Sequence, residues 1–173
     1  AVVSVSGKLR IRPTGRSAVK PDANGNPRAN QGNSYGALTT GASRVLREGA
    51  DWMSWRITDA GFAMTLTRDV PEALQRTVGE FVHELAGHQS HTLIVHPGGP
   101  AILEAMELGL DRPNDPGVNQ ARRVLAECGN MSSATILFVL QRALTERLAQ
   151  PMLLLAFGPG LTIESLQLLP HRP

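Results

Sequence analysis

The chain reads as an α/β domain, a mixed β-sheet layered with helices, and three observations predict it. Short apolar runs with strand character, such as Thr92 to Val95 and Met152 to Phe157, are bounded by glycine, proline or polar clusters. Between them, apolar residues recur at three- and four-residue spacing, the period of a helix with one buried face. The 173 residues, 42% of them hydrophobic, are enough for one domain with a substantial core.

Taken in order, the first element is a strand-like run from Ala1 to Val5. Because a natural start would normally be Met, the chain reads as a piece of something longer. From Pro13 to Ser34 the sequence is rich in Gly, Asn and Pro with almost no apolar residues, which predicts a long mobile loop. Three strand-like runs follow, near Ala37 to Arg47, Met53 to Thr58 and Phe62 to Thr67, and are expected to be antiparallel neighbours. Asp69-Val70-Pro71-Glu72 then starts a helix, with Asp near the N-cap and Pro in the first turn. Leu74, Val78, Phe81, Val82 and Leu85 give that helix its apolar face, to about Gly87.

The run TLIV, Thr92 to Val95, is a short buried strand leading through a Pro-Gly-Gly-Pro turn into a helix from about Pro100 to Leu108. Val118 to Ala126 gives a further helix that stops at Gly129. Ser132 to Arg147 gives another, apolar on more than one side through Ala134, Ile136, Leu137, Phe138 and Leu140, and so expected to be buried. Two closing strands, Met152 to Phe157 and Thr162 to Leu169, are joined by a sharp Gly158-Pro159-Gly160 turn. No internal repeat or low-complexity tail is visible.

Composition excludes several function classes. Seventeen basic against 15 acidic residues leave a net charge of +2, and no basic block alternates with aromatics, which argues against nucleic acid. No apolar run reaches the roughly 18 to 20 residues that span a bilayer, and no signal-peptide pattern is present, so a cytoplasmic setting is expected. The single cysteine, Cys128, excludes an internal disulfide and a cysteine-rich metal site. In HELAGH, residues 83 to 88, the two histidines stand five apart on different sides of a helix, and His91 lies in a polar loop that reads as a solvated helix end; no metal is implied. Asn130-Met131-Ser132 fits the glycosylation sequon by accident, and Gly158-Pro159-Gly160 lacks the rest of a dinucleotide fingerprint. That turn is better read as bringing backbone close to a ligand or a neighbouring strand.

Three segments remain as candidates for chemistry: HPGGPAIL from His96, CGNMSSA from Cys128, and AFGPGLTIE from Ala156. A histidine at the carboxyl end of a strand, just before a helix N-terminus, faces the place where ligands collect in α/β layers and tends to stay neutral. Asn130 sits where Gly129 ends one helix and Ser132-Ser133 begins the next. A neutral imidazole N–H and an amide N–H aimed at one point would form an oxyanion hole for a thioester carbonyl, or for the enolate left when malonyl loses carbon dioxide. Each such donor is worth about 3 to 4 kcal/mol in the transition state. Taken singly, each residue has a plainer reading: His96 satisfies a core hydrogen bond and Asn130 caps a helix.

In order and approximate spacing, HPGGPAIL, GNMSSA and FGPGLT resemble the type III polyketide synthases, the chalcone and stilbene synthase family of the thiolase fold. The resemblance covers most of the chain and takes in Gly61 to Pro71, where Asp69-Val70-Pro71 matches the family's strand-to-helix junction. It implies that His96 and Asn130 are the catalytic histidine and asparagine, which bind the thioester carbonyl and promote malonyl decarboxylation. It further implies that Phe157, Gly158, Pro159 and Gly160 shape the cavity where the polyketide folds, and Ser132 of the GNMSS segment is expected to be a substrate-binding residue. By resemblance the chain is the C-terminal half of a homodimeric enzyme using acyl-CoA and malonyl-CoA, with no resident cofactor.

The same resemblance puts the nucleophilic cysteine and most coenzyme A-binding basic residues in a preceding half. Cys128, two residues before Asn130, reads as a buried spectator. Alone, the chain is expected to be inert in condensation, since His and Asn have no acyl chain to offer the enolate. Met64 falls where plant enzymes carry a gatekeeping phenylalanine, and Trp55 near a cavity position that is glycine in chalcone synthase. A thioether at the gate would tolerate different acyl chains, and an indole in the cavity would limit elongation; core packing of Trp55 remains open. Fifteen arginines against two lysines suggest a bacterial source. A β-ketoacyl-ACP synthase III-like enzyme is the rival within the fold, and a non-catalytic CoA-thioester-binding or assembly module the rival outside it.

Overall fold

The computed structural model describes residues 2–10, 37–87, 89–149 and 151–169; the loop expected over 13–34, and His88, lie outside them. The strands are β1 (Val2–Arg10), β2 (Ala37–Val45), β3 (Met53–Thr58), β4 (Gly61–Leu66), β5 (Thr92–Val95), β6 (Met152–Gly158) and β7 (Thr162–Leu169). The helices are α1 (Asp69–Ala86), α2 (Pro100–Gly109), α3 (Pro116–Cys128) and α4 (Thr135–Thr145), with single 3-10 turns at Arg47–Gly49 and Ser132–Ala134.

One sheet has the order β1-β2-β7-β6-β5, antiparallel except where β5 runs parallel to β6. β3 and β4 form a separate antiparallel hairpin. The expectation that β2 neighbours β3 and β4 is thus corrected. β2 takes its partners from far along the chain, and Ser165 on β7 fixes the match: its buried hydroxyl accepts from the Ala42 amide at 3.2 Å and donates to the Ala42 carbonyl at 3.0 Å.

Parallel neighbours need a long crossover, and α2, α3 and α4 supply it between β5 and β6. Leu93, Ile94 and Val95 are completely buried, which explains why β5 reads as an unbroken apolar run rather than an alternating one. α3 and α4 both pack on β5, and α1 packs on α2. Asp115 caps α3 by accepting from the amides of Gly117 at 2.8 Å and Val118 at 3.2 Å, while Arg112 pairs with its other oxygen at 2.6 Å. Pro116 and Gly117 therefore fill the first helical positions, and the helix begins earlier than its apolar period suggests. A Cβ on Gly117 would stand 1.7 Å from the Leu93 carbonyl oxygen, so only glycine lets α3 approach β5 this closely.

Three further expectations change. His91 is not in a solvated helix end: it is 4% exposed, with Nδ1 2.7 Å from the Gln89 carbonyl and Nε2 2.8 Å from the Gln167 amide nitrogen of β7. A buried ring needs both nitrogens satisfied, and Gln167 supplies the second partner from 76 residues away. α4 is buried only on one side, at Thr135, Val139, Leu140 and Ala143; Leu137 and Phe138 are 61% and 43% exposed, because no described element packs over them. Cys128 is exposed rather than buried, since it closes α3 on the solvent side of the last turn.

Candidate active site

His96 follows β5 directly, and its amide donates to the Leu155 carbonyl of β6 at 2.8 Å, carrying the ladder one residue past Val95. Because the two strands are parallel, the same end of the sheet holds the continuation of β6 through Phe157 and Gly158. The structure thereby brings His96 and the FGPG turn together. The Gly98 amide donates back to the His96 carbonyl at 2.9 Å, and the chain turns away into α2. The His96 ring is half-buried, and among the described residues nothing hydrogen-bonds it.

Burial holds the imidazole below the ordinary histidine value of 6.5, because desolvation penalises the charged form. At neutral pH it is thus a neutral ring with one N–H to donate. The unfolded chain takes up this proton first as pH falls, so stability drops between 6.5 and the lower folded value, and is unaffected above 6.5. An NMR titration of the His96 ring is expected to show its midpoint below 6.5; a midpoint at or above that value would overturn the assignment of a desolvated ring.

Asn130 follows Gly129, the α3 C-cap, whose φ of 71° ends the helix in a conformation that suits glycine. Its Oδ1 accepts from the Ser132 amide at 2.9 Å, closing a local turn. With the oxygen engaged, the Asn130 NH₂ is the end left to donate. Ser132 has φ 60°, a left-handed conformation uncommon for a side-chain-bearing residue. Thr135, completely buried at the start of α4, holds this turn through its hydroxyl, which accepts from the Met131 amide and donates to the Ser132 carbonyl, both at 2.8 Å. Sequence reasoning passed over Thr135 because it falls inside an apolar helical run; the signal was a hydroxyl residue at a helix start. Among the described residues no hydrogen bond joins His96 to Asn130.

Trp55 and Met64 are direct partners across the β3-β4 hairpin, on the same face as Met53, Ile57 and Leu66. They are 49% and 46% exposed, so this apolar face is largely uncovered. The FGPG turn touches the hairpin through its backbone: the Gly160 amide donates to the Met53 carbonyl at 3.1 Å. That is the close approach to a neighbouring strand expected of the turn. Thr162 secures it from the other side, its hydroxyl donating to the Pro159 carbonyl at 3.0 Å. Phe157 is half-buried beside it and packs against the core. A cavity of about 720 Å³ between α2 and α3, lined by Leu103, Glu107, Arg122 and Leu125 among others, contains none of the expected site residues.

Residues 37–170 match the family model described as chalcone and stilbene synthases, C-terminal domain. The chain is 32% identical to type III polyketide synthase B of Arabidopsis thaliana, covering 75% of this chain and 37% of that protein. It is 37% identical to type III polyketide synthase A of the same plant, covering 64% of this chain and 31% of that protein. The crystal structure of PKS-I from the brown alga Ectocarpus siliculosus is similar with a TM-score of 0.68 and 25% identity, over 76% of this chain and 38% of the algal one. The architecture is that of a thiolase-like fold, in the form used by polyketide-forming transferases. The chain belongs to the chalcone and stilbene synthase family, by its C-terminal domain. It spans less than two fifths of the length of these relatives.

No helix among the described residues is long and apolar enough to cross a membrane.

Proposed function

We propose that this chain is the C-terminal part of a cytosolic type III polyketide synthase-like acyltransferase that condenses an acyl-CoA starter with malonyl-CoA. Two observations support the reading: His96 stands as a desolvated ring at the end of β5, and the Asn130 side chain has its oxygen already engaged by the Ser132 amide. In the reaction, the malonyl carboxylate departs as carbon dioxide, and its bonding electron pair moves onto the thioester enolate oxygen. His96 and Asn130 donate to that oxygen. The enolate carbon then attacks the acyl thioester held on a cysteine, forming a carbon–carbon bond and releasing the thiolate.

The cysteine belongs to a part of the protein outside this chain. That part also covers exposed apolar side chains of this chain, on the β3-β4 hairpin face and at Leu137 and Phe138 of α4. The complete enzyme works as a homodimer. Full-length protein given an acyl-CoA and malonyl-CoA should release free coenzyme A and carbon dioxide and form a polyketide, whereas residues 1–173 alone should form none. A strong preference for malonyl on a carrier protein would instead indicate a β-ketoacyl-ACP synthase. Thioester binding by the isolated chain, with no condensation by any longer form, would indicate a binding module.

Trp55 lines the acyl path and limits elongation, while its cross-strand neighbour Met64, at the gate, tolerates different acyl chains. Trp55→Gly is expected to shift products toward at least one further extension, read by mass spectrometry. An unchanged product distribution would remove Trp55 from the cavity wall.

A further inference from the structure

We infer that Thr135 is a positioning residue for Asn130, holding its amide N–H at the reacting oxygen by clamping the turn between α3 and α4; this rests on the role proposed above for Asn130. Thr135 follows Asn130 by five positions, and its side chain has no access to solvent. Its hydroxyl is fully used within the turn. It accepts from the Met131 amide at 2.8 Å and gives its one proton to the Ser132 carbonyl at 2.8 Å, while the Asn130 Oδ1 lies further off at 3.4 Å. The two residues it grips, Met131 and Ser132, directly follow Asn130. Ser132 in turn supplies the amide that holds Asn130 Oδ1 at 2.9 Å.

The orientation of the Asn130 amide is thus set at one remove. Oδ1 is fixed by the Ser132 amide, the Ser132 peptide is fixed by Thr135, and Thr135 is anchored in α4, which packs on β5. The left-handed φ of Ser132 makes the clamp necessary. A non-glycine residue relaxes toward negative φ unless its surroundings hold it. Such relaxation would swing the Ser132 amide off Oδ1 and release the Asn130 side chain to rotate. A donor displaced from the developing oxyanion loses most of its worth, since its contribution depends on arriving already oriented.

The test uses the full-length protein and malonyl-CoA decarboxylation. Thr135→Val keeps the shape of the side chain and removes the hydroxyl. It is expected to lower kcat about 10- to 50-fold with KM for malonyl-CoA within about twofold of the parent, while Thr135→Ser restores kcat. In the double variant with Asn130→Ala, Thr135→Val should add nothing to the loss caused by Asn130→Ala alone, because the clamp then has nothing to position. A role in stability alone predicts the opposite, with additive losses and a lowered melting temperature at unchanged kcat per folded enzyme, and would overturn the inference. Should the valine variant fail to fold, Thr135→Ala carries the same comparison with Thr135→Ser. If Asn130→Ala itself leaves decarboxylation intact, the role of Asn130 fails. If Asn130→Ala is slow and Thr135→Val and Thr135→Ala are as fast as the parent, only the positioning role fails.

Discussion

Replacing His96 or Asn130 with alanine in the full-length protein is expected to slow malonyl-CoA decarboxylation by about 100- to 1000-fold, the worth of one oriented oxyanion donor. The loss should appear in kcat, because each group binds the oxygen most strongly when it carries charge. Wild-type rates of carbon dioxide release in either variant would show that the residue is not the donor.

Gly117→Ala should have the largest effect on stability. The added methyl would lie 1.7 Å from the Leu93 carbonyl and 3.1 Å from the Thr92 side chain, and neither can yield without moving β5. α3 must withdraw from the sheet, at a cost of about 3 kcal/mol, seen as a lower denaturant midpoint with an unchanged slope. α3 ends at the turn that presents Asn130, so its withdrawal should slow decarboxylation as well. An alanine variant as stable as the parent would mean that α3 does not approach β5 as described.

Much of the fold was legible where periodicity and punctuation agree. β3, β5 and β7 begin and end where their apolar runs meet turn residues, and Gly129 ends α3 as expected. The placement of β2 was not legible, because strand partners are chosen over long separations; nothing local in Ala37 to Val45 announces β7. The burial of His91 was hidden for the same reason, since Gln167 reaches it from a strand two places along in the sheet. Leu137 and Phe138 read as core from hydropathy, which registers that a face wants cover but not whether the cover is in the same chain. At the candidate site, His96 and the FGPG turn could be read from strand ends. Thr135 could not, because its contribution lies in which backbone groups its hydroxyl reaches.

The hydrogen bond from the His96 amide to Leu155 ties the imidazole to the last rung between β5 and β6. Whenever that rung opens, the ring loses its place, and the amide proton becomes free to exchange with solvent. Hydrogen–deuterium exchange at this one amide is therefore a clock for the lifetime of the assembled site, readable without substrate or turnover. A ligand that closes the site should slow the clock in proportion to its occupancy.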